Sequence, residues 1–298
     1  MRFRNSILYE FNRFMQPSMA VLLLVMLSSC SREIQEAGPA KPNIIYIFTD
    51  QQHAKMMSGA GNKWVNTPAM DYIAAHGIRF TRAYTPNPVC SPARVSLMTG
   101  RFAGDFKDSE GNTVRENRGS MRIPGISNEV KETTIASFLR KAGYDLLYGG
   151  KEHLPDPLTP EALGFVDFSD DERDQLAAQA AAYISSKPEN PYFMIVSLIQ
   201  PHDICYMAIR DQSDPANPLL ERGKKELAML DLALEYPDSI SEEEFFQHYC
   251  PPLPPNYEPQ HEEPEAIKHM LNLRDFRINA RKNYTQYDWR RHRWAYGR

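Results

Sequence analysis

Cysteine is scarce in this chain, with four among 298 residues, at positions 30, 90, 205 and 250. Cys205 and Cys250 could pair in an oxidising compartment, but pairing needs Cα atoms within about 7 Å. Nothing in the sequence supplies that, so no disulfide is expected. An apolar run of the roughly 20 residues that span a bilayer is absent too, and the strongest run, Met19 to Leu27, is too short. Charge of one sign is also missing, with 34 basic against 38 acidic residues and a net charge of −4. That balance is silent on acidic partners and gives no support to nucleic-acid binding. What remains, 42% hydrophobic and 24% charged, suits a globular domain with an ample core.

The short apolar run has a meaning of its own. Arg2, Arg4 and Arg13 precede it and Leu27-Ser28-Ser29-Cys30 comes after it, the layout of a targeting segment. Small residues ahead of a cysteine look like a bacterial lipoprotein signal over 1–30, with Cys30 acylated as the new N-terminus. A plain secretory signal is the alternative. Both place the product outside the cytoplasm, in the periplasm or, through a lipid anchor in the membrane, at the outer membrane or cell surface. Residues 31–41, polar with Gly38 and Pro39, read as a tether.

Beyond the tether, apolar runs alternate with helical periodicities, which predicts an α/β fold with a mainly parallel sheet between helices. Ile44 to Phe48 is unbroken and isoleucine-rich, as expected of a central strand buried on both faces. Asp50 and Gln51 come next at its carboxyl end, where open α/β sheets hold ligands, although an Asp there also suits a loop cap. Thr67-Pro68 predicts a capped helix with Met70, Ile73 and Ala74 on one face and Gly77 as its stop. A short strand over Ile78 to Tyr84 and a helix over Thr133 to Ala142 come next. Strand Tyr144 to Tyr148 leads into Gly149-Gly150-Lys151-Glu152-His153. A helix over Asp171 to Ser186 precedes strand Tyr192 to Ile199, apolar but for Ser197, which ends in Gln200-Pro201-His202-Asp203.

The pattern loosens after Ile204. Glu242-Glu243-Glu244 suits a helix start, since acids favour the first turn. The Arg- and aromatic-rich end, Asn279 to Arg298, is expected to be an incomplete helix whose aromatic stripe packs on a further element of the fold. Such residues could stack on nucleic acid, but export argues against that.

The stretch Asn87-Pro88-Val89-Cys90-Ser91-Pro92-Ala93-Arg94 organises the rest. Pro92 suits the first helical position, which puts Cys90 at or just before a helix N-terminus, where negative charge is favoured. Arg94 lies one turn further in, and Thr99-Gly100 looks like the stop. Read alone, Cys90 could equally be a small buried residue beside a proline turn.

Together with Pro42-Asn43-Ile44-Ile45-Tyr46-Ile47-Phe48-Thr49-Asp50-Gln51, Asn66-Thr67-Pro68-Ala69-Met70-Asp71, Gly77 to Tyr84 and Thr99-Gly100-Arg101, this stretch resembles the type I sulfatases of the alkaline-phosphatase superfamily. The resemblance implies an alkaline-phosphatase-like fold and a sulfuric ester hydrolase acting on a sulfated glycan or small sulfate ester. It implies that a formylglycine-generating enzyme converts Cys90 to formylglycine, a built-in cofactor whose hydrate carries two hydroxyls on one carbon. One would attack sulfur, and deprotonation of the other would expel sulfate; a serine could do only the first step. It implies a divalent cation, usually calcium, on Asp50, Gln51 and residue 90, with Gln51 standing where relatives carry a second carboxylate. Lys151 and His153 would contact the sulfate and the formylglycine oxygen, and His202 the sulfate and the leaving alcohol.

The sequence departs from that pattern at its end. Sulfatases continue to an Asp-His or Asp-Asn pair that completes the metal site, and neither pair occurs here. Residues 42–298 are therefore expected to be a catalytic domain truncated at its C-terminal end, with an unpaired sheet edge. Two alternatives accompany the sulfatase reading: a catalytically inactive remnant, and a phosphate or phosphonate monoester hydrolase of the same superfamily.

Overall fold

The computed structural model describes residues 40–113, 121–235 and 239–297; the signal segment with Cys30, and the tether up to residue 39, lie outside the described residues. Four strands form one sheet in the order β1 (Ile44–Phe48), β4 (Tyr192–Ser197), β2 (Asp145–Gly150) and β3 (Val166–Ser169). Every pairing is parallel, with Ile44 opposite Phe193 and Asp145 opposite Tyr192. The expected α/β architecture is present, although β3 escaped the sequence reading.

The central strand is β4, buried at all six positions. Its alternation sends Phe193 and Ile195 to one face and Tyr192, Met194 and Val196 to the other. The first face packs with Leu146 and Tyr148 of β2 against Val95 and Met98 of helix α2 (Cys90–Thr99) and against Ala136. The second packs with Leu147 against Leu176 and Ala180 of the helix Leu176–Ser185. A sheet sandwiched by helices results.

Strand β1, expected at the centre, is instead an edge strand. Ile45, Tyr46 and Ile47 are 41%, 40% and 57% exposed, and among the described residues no strand pairs with its outer side. An apolar run records affinity for a covering layer, not whether that layer is there. Three other expectations also fail. Ile78 to Tyr84 forms no strand, and Ile78, Phe80 and Tyr84 are exposed. Helix α1 (Pro68–His76) buries no residue, and Thr67 gives it no side-chain cap, its hydroxyl being engaged by Ser58 and Asp71. The helix expected from Asp171 begins at Leu176, because the Asp171 carboxylate accepts from the backbone N–H groups of Arg173, Asp174 and Gln175 and holds a turn.

The C-terminal aromatics pack inward, onto elements already in the chain. In the last helix (Gln286–Gly297), Trp294 sits edge-on to Phe245 at 4.6 Å and Tyr287 lies 4.5 Å from Phe246. Those phenylalanines belong to a π-helical turn, Phe245–Tyr249, that comes directly after the Ser241-capped Glu242–Glu244. Cys205 and Cys250 are both free thiols. No helix among the described residues is long and apolar enough to cross a membrane.

His292 of the last helix sets a pH limit on the fold. Burial pushes its pKa down from 6.5 to about 4. The depressed value means that the unfolded chain binds the proton first. Stability is therefore full above pH 6.5 and falls as pH drops towards 4. Between pH 7 and 4.5 the loss from this residue should be about 2–3 kcal/mol. Urea midpoints of wild type and His292→Gln at both pH values measure it; equal pH dependence of the two would refute the assignment.

Candidate active site

Parallel strands deliver their carboxyl ends to one edge, and the candidate residues collect there. Asp50 comes after β1, Lys151 after β2 and His202 after β4, while α2 starts at Cys90 beside them. Val89 is the N-cap and Cys90 the first helical residue, so Pro92 occupies the third position instead of the expected first. Gly100 ends the helix in the left-handed region at φ 67°, its N–H donating to the Ser96 carbonyl. Ser91, Arg94, Val95 and Met98 are buried at helical spacing. The helix thus needs its core face to seat Arg94.

Arg94 is 4% exposed, and both of its terminal nitrogens are engaged. Nη1 donates to Ser197 Oγ at 2.7 Å and to the Lys151 carbonyl at 2.8 Å, and reaches Tyr148 Oη at 3.4 Å. Nη2 pairs with Asp50 Oδ2 at 3.2 Å, and the guanidinium lies 4.6 Å from the Phe48 ring centre. The Lys151 carbonyl accepts further bonds from Tyr148 Oη at 2.7 Å and Ser197 Oγ at 2.6 Å. One buried cation therefore ties together the ends of three strands and helix α2.

Lys151 completes the centre. Its Nζ lies 2.8 Å from Asp50 Oδ2 and 3.9 Å from Cys90 Sγ, and Sγ is 3.5 Å from Asp50 Oδ1. Burial pushes the Asp50 carboxyl up, but Lys151 and Arg94 override it and hold the group below the usual carboxylate value. Burial pushes the Cys90 thiol up, with Lys151 opposing and Asp50 reinforcing, so the unmodified residue stays a thiol. His153 and His202 are both pushed down, by burial and then by the Lys151 charge. Each is neutral at pH 7.

The turn that aims Lys151 depends on Gly150, at φ 87°. A Cβ there would stand 2.3 Å from the Ser197 carbonyl oxygen and 2.6 Å from Leu176 Cδ2. That same carbonyl accepts from the Lys151 N–H at 2.9 Å. Gly150→Ala should destabilise the chain by about 2–3 kcal/mol through strain and overpacking. Thermal denaturation checks this, and an unchanged midpoint would show that the turn does not constrain the strand end.

The loop carrying His202 is anchored from behind. Arg173 donates to both oxygens of Asp203, at 2.9 and 3.1 Å, and pairs with Glu226 at 2.7 Å; Gln200 Nε2 donates to Asp203 Oδ2 at 2.7 Å. Asp50, Cys90 and His202 offer ligand atoms within 4.8 Å of one another. Gln51 stands exposed on the wall of the adjoining cavity, with its backbone at φ 65° and its carbonyl accepting from Tyr296 Oη at 2.7 Å. Asp50, Cys90, Arg94, Lys151 and His202 thus lie close together, with Gln51 on the cavity wall; His153 feels the Lys151, Arg94 and Asp50 charges but is not among the described lining residues. Ser197 and Tyr148 were missed, yet Ser197 was visible as the one polar break in an apolar strand.

The arrangement supplies cations around an anionic group, a residue at a helix N-terminus and neutral imidazoles for proton transfer. Residues 42–252 match the family described as Sulfatase. An ulvan-active sulfatase of Formosa agariphila is 32% identical over 142 residues, 45% of this chain and 25% of that protein. An N-acetylgalactosamine-6-O-sulfatase of Bacteroides thetaiotaomicron is 34% identical over 137 residues, 44% of this chain and 25% of that protein. A solved 2-O GAG sulfatase shares the fold at a TM-score of 0.60 and 19% identity, covering 86% of this chain and 50% of that one. The matched stretches therefore take in a quarter to a half of these relatives' own lengths. With that family match over most of the chain and the shared fold, this chain belongs to the type I sulfatases of the alkaline-phosphatase superfamily, which are sulfuric ester hydrolases.

Proposed function

We propose that this site hydrolyses sulfate esters of a carbohydrate, with residue 90 carrying the formylglycine made from Cys90 by a formylglycine-generating enzyme. The single observation that carries the reading is the seating of residue 90 between the Asp50 carboxylate and the Lys151 ammonium at the start of α2. The modified side chain fits there. A hydroxyl in place of Sγ can donate to Asp50 Oδ1 and accept from Lys151. When present, the group supplies a hydrated aldehyde with one hydroxyl for attack on sulfur and a second whose deprotonation releases sulfate. The half-buried thiol itself, its pKa raised, offers little thiolate.

The other residues act on charge and protons. Lys151 and the first N–H groups of α2 face the peripheral sulfuryl oxygens. Arg94 acts behind them, by fixing Asp50 and the Lys151 backbone. His153, neutral before substrate arrives, can take a hydroxyl proton. A bound sulfate monoanion raises the pKa of His202, which equips it to protonate the leaving alcohol. A divalent cation, calcium by the family resemblance, would sit on Asp50, Gln51 and residue 90. Those residues provide two or three of the six to eight oxygens that calcium takes, and Asp50 Oδ2 is already shared by two cations. The described residues therefore hold part of such a site, and no step here runs through the ion.

Names of the relatives, one acting on N-acetylgalactosamine-6-O-sulfate, support a sulfated carbohydrate. Leu27-Ser28-Ser29-Cys30 supports an exported lipoprotein, anchored through an acylated Cys30. The test uses the product purified from its own cells. Its residue-90 peptide should have the mass of the aldehyde, and it should release sulfate from an aryl sulfate faster than phosphate from the matching aryl phosphate. A dominant phosphatase rate, or no sulfate release with the aldehyde present, overturns the reading.

A further inference from the structure

The cavity in front of residue 90, about 1070 Å³, holds more positive charge than one sulfate group needs. Arg94 is already committed to the framework, but Arg122, Arg274 and Arg277 also line the wall. All three are exposed, and among the described residues none of them forms an ion pair. Asp50 is the one acidic side chain among the described lining residues, and it is neutralised by Arg94 and Lys151. Three guanidiniums lining one space, with no counter-charge among the described residues beyond the engaged Asp50, repel one another, and a concave wall focuses that field on whatever enters.

Arg122 lies between the buried Met121 and Ile123, and the Met121 N–H donates to Ser91 Oγ of α2 at 3.0 Å. The stretch therefore buries Met121 and Ile123 and leaves Arg122 exposed. Arg274 precedes the helix Asp275–Asn283, and Arg277 comes one turn on, its Nη1 donating to the Met270 carbonyl at 3.2 Å. Met270 and Leu273 add apolar wall beside them. Planar guanidinium forks match sulfate and carboxylate oxygens in a bidentate manner.

From this geometry we propose that the substrate carries a second anionic group, a carboxylate or another sulfate ester, bound by Arg122, Arg274 and Arg277 while residue 90 faces the ester that is cut. The proposal rests on the sulfate-ester reading of the site. The second anion bears no bond that breaks; it holds the sugar in the cavity and selects polyanionic chains.

Binding tests it without turnover when the protein is made without the formylglycine-generating enzyme, so that Cys90 stays a thiol. Three disaccharides are titrated calorimetrically at low salt: one with a single sulfate, one with two sulfates, and one with a sulfate and a carboxylate. A second anion should tighten binding to wild type by about 10- to 100-fold, as charge-assisted hydrogen bonds do. The gain should fall below about 3-fold in Arg274→Gln/Arg277→Gln and shrink in Arg122→Gln, while Arg274→Lys/Arg277→Lys keeps part of it. Arg122 comes from a separate element, so a shared loss cannot be local unfolding of one helix. Comparing the doubly sulfated and the carboxylated sugar shows which anion is read. No gain in wild type, or a gain that survives all three Gln substitutions combined, overturns the proposal. Tighter binding lost in the variants, with no sulfate release from any sugar by protein whose residue 90 is the aldehyde, would leave this inference standing and remove the hydrolytic one.

Discussion

Arg94→Met should unfold the protein's centre more than any surface change could, at a cost of about 3 kcal/mol. For a chain of this size that lowers the melting temperature by about 6–12 °C. The reason lies in what the guanidinium leaves behind. Asp50 loses one of its two cations, Ser197 Oγ loses a 2.7 Å donor, and the Lys151 carbonyl loses a 2.8 Å donor, all of them buried. Each keeps another partner, Lys151 Nζ for Asp50, Tyr148 Oη for the Lys151 carbonyl and that carbonyl for Ser197 Oγ, so the cost is the sum of three partial desolvation penalties in a space closed to water. Arg94→Lys should rescue little, because one ammonium cannot span acceptors that a fork reaches from two nitrogens. Asp50→Asn added to Arg94→Met should be less damaging than the sum of the two, since the cycle removes both ends of one ion pair. A loss below about 1 kcal/mol for Arg94→Met would show that Lys151 alone satisfies Asp50.

The same residues show what a sequence can and cannot disclose. Asp50, Lys151 and His202 each come after an apolar run, and parallel pairing forces the ends of such runs together, so their convergence was legible. The helix start at Cys90 and its glycine stop were legible as well, because caps are local chemistry. Two kinds of feature were not. Ile44 to Phe48 is as apolar as Tyr192 to Ser197, yet one is an edge and the other the centre. Strand order depends on which partners crossovers bring alongside, and hydrophobicity does not encode it.

The cavity wall was hidden for a related reason. Arg122 and Arg274 are separated by more than half of the described chain and meet only through tertiary packing. Arg122 has no motif around it, and its exposure results from Met121 and Ile123 being buried on either side. Ser197 lay between the two cases. A lone hydroxyl in an otherwise apolar central strand must find a partner when fully buried, which marks it as interacting. It does not name Arg94, 103 positions away, as the donor.

Cys90→Ser should abolish turnover while sparing the fold, and the two halves of that result test different claims. The side chain is half-buried and makes only long contacts, 3.5 Å to Asp50 Oδ1 and 3.9 Å to Lys151 Nζ. Replacing sulfur by a smaller oxygen should therefore shift the melting temperature by no more than about 2 °C. Sulfate release at steady state should fall by on the order of 10⁴ or more, the scale on which an attacking residue is lost. The variant should still do half of the chemistry. The introduced serine hydroxyl can attack sulfur as the alcohol leaves, with Lys151 and the α2 N–H groups still facing the sulfuryl oxygens. It has no second hydroxyl on the same carbon to expel sulfate, so the sulfate ester should accumulate on the protein. Intact mass after incubation with an aryl sulfate should show one added sulfuryl group, and Cys90→Ala should show none. Steady-state sulfate release by the Ser variant at the wild-type rate would mean that residue 90 is not the attacking group, and the chemistry assigned to it would have to move elsewhere in the cavity.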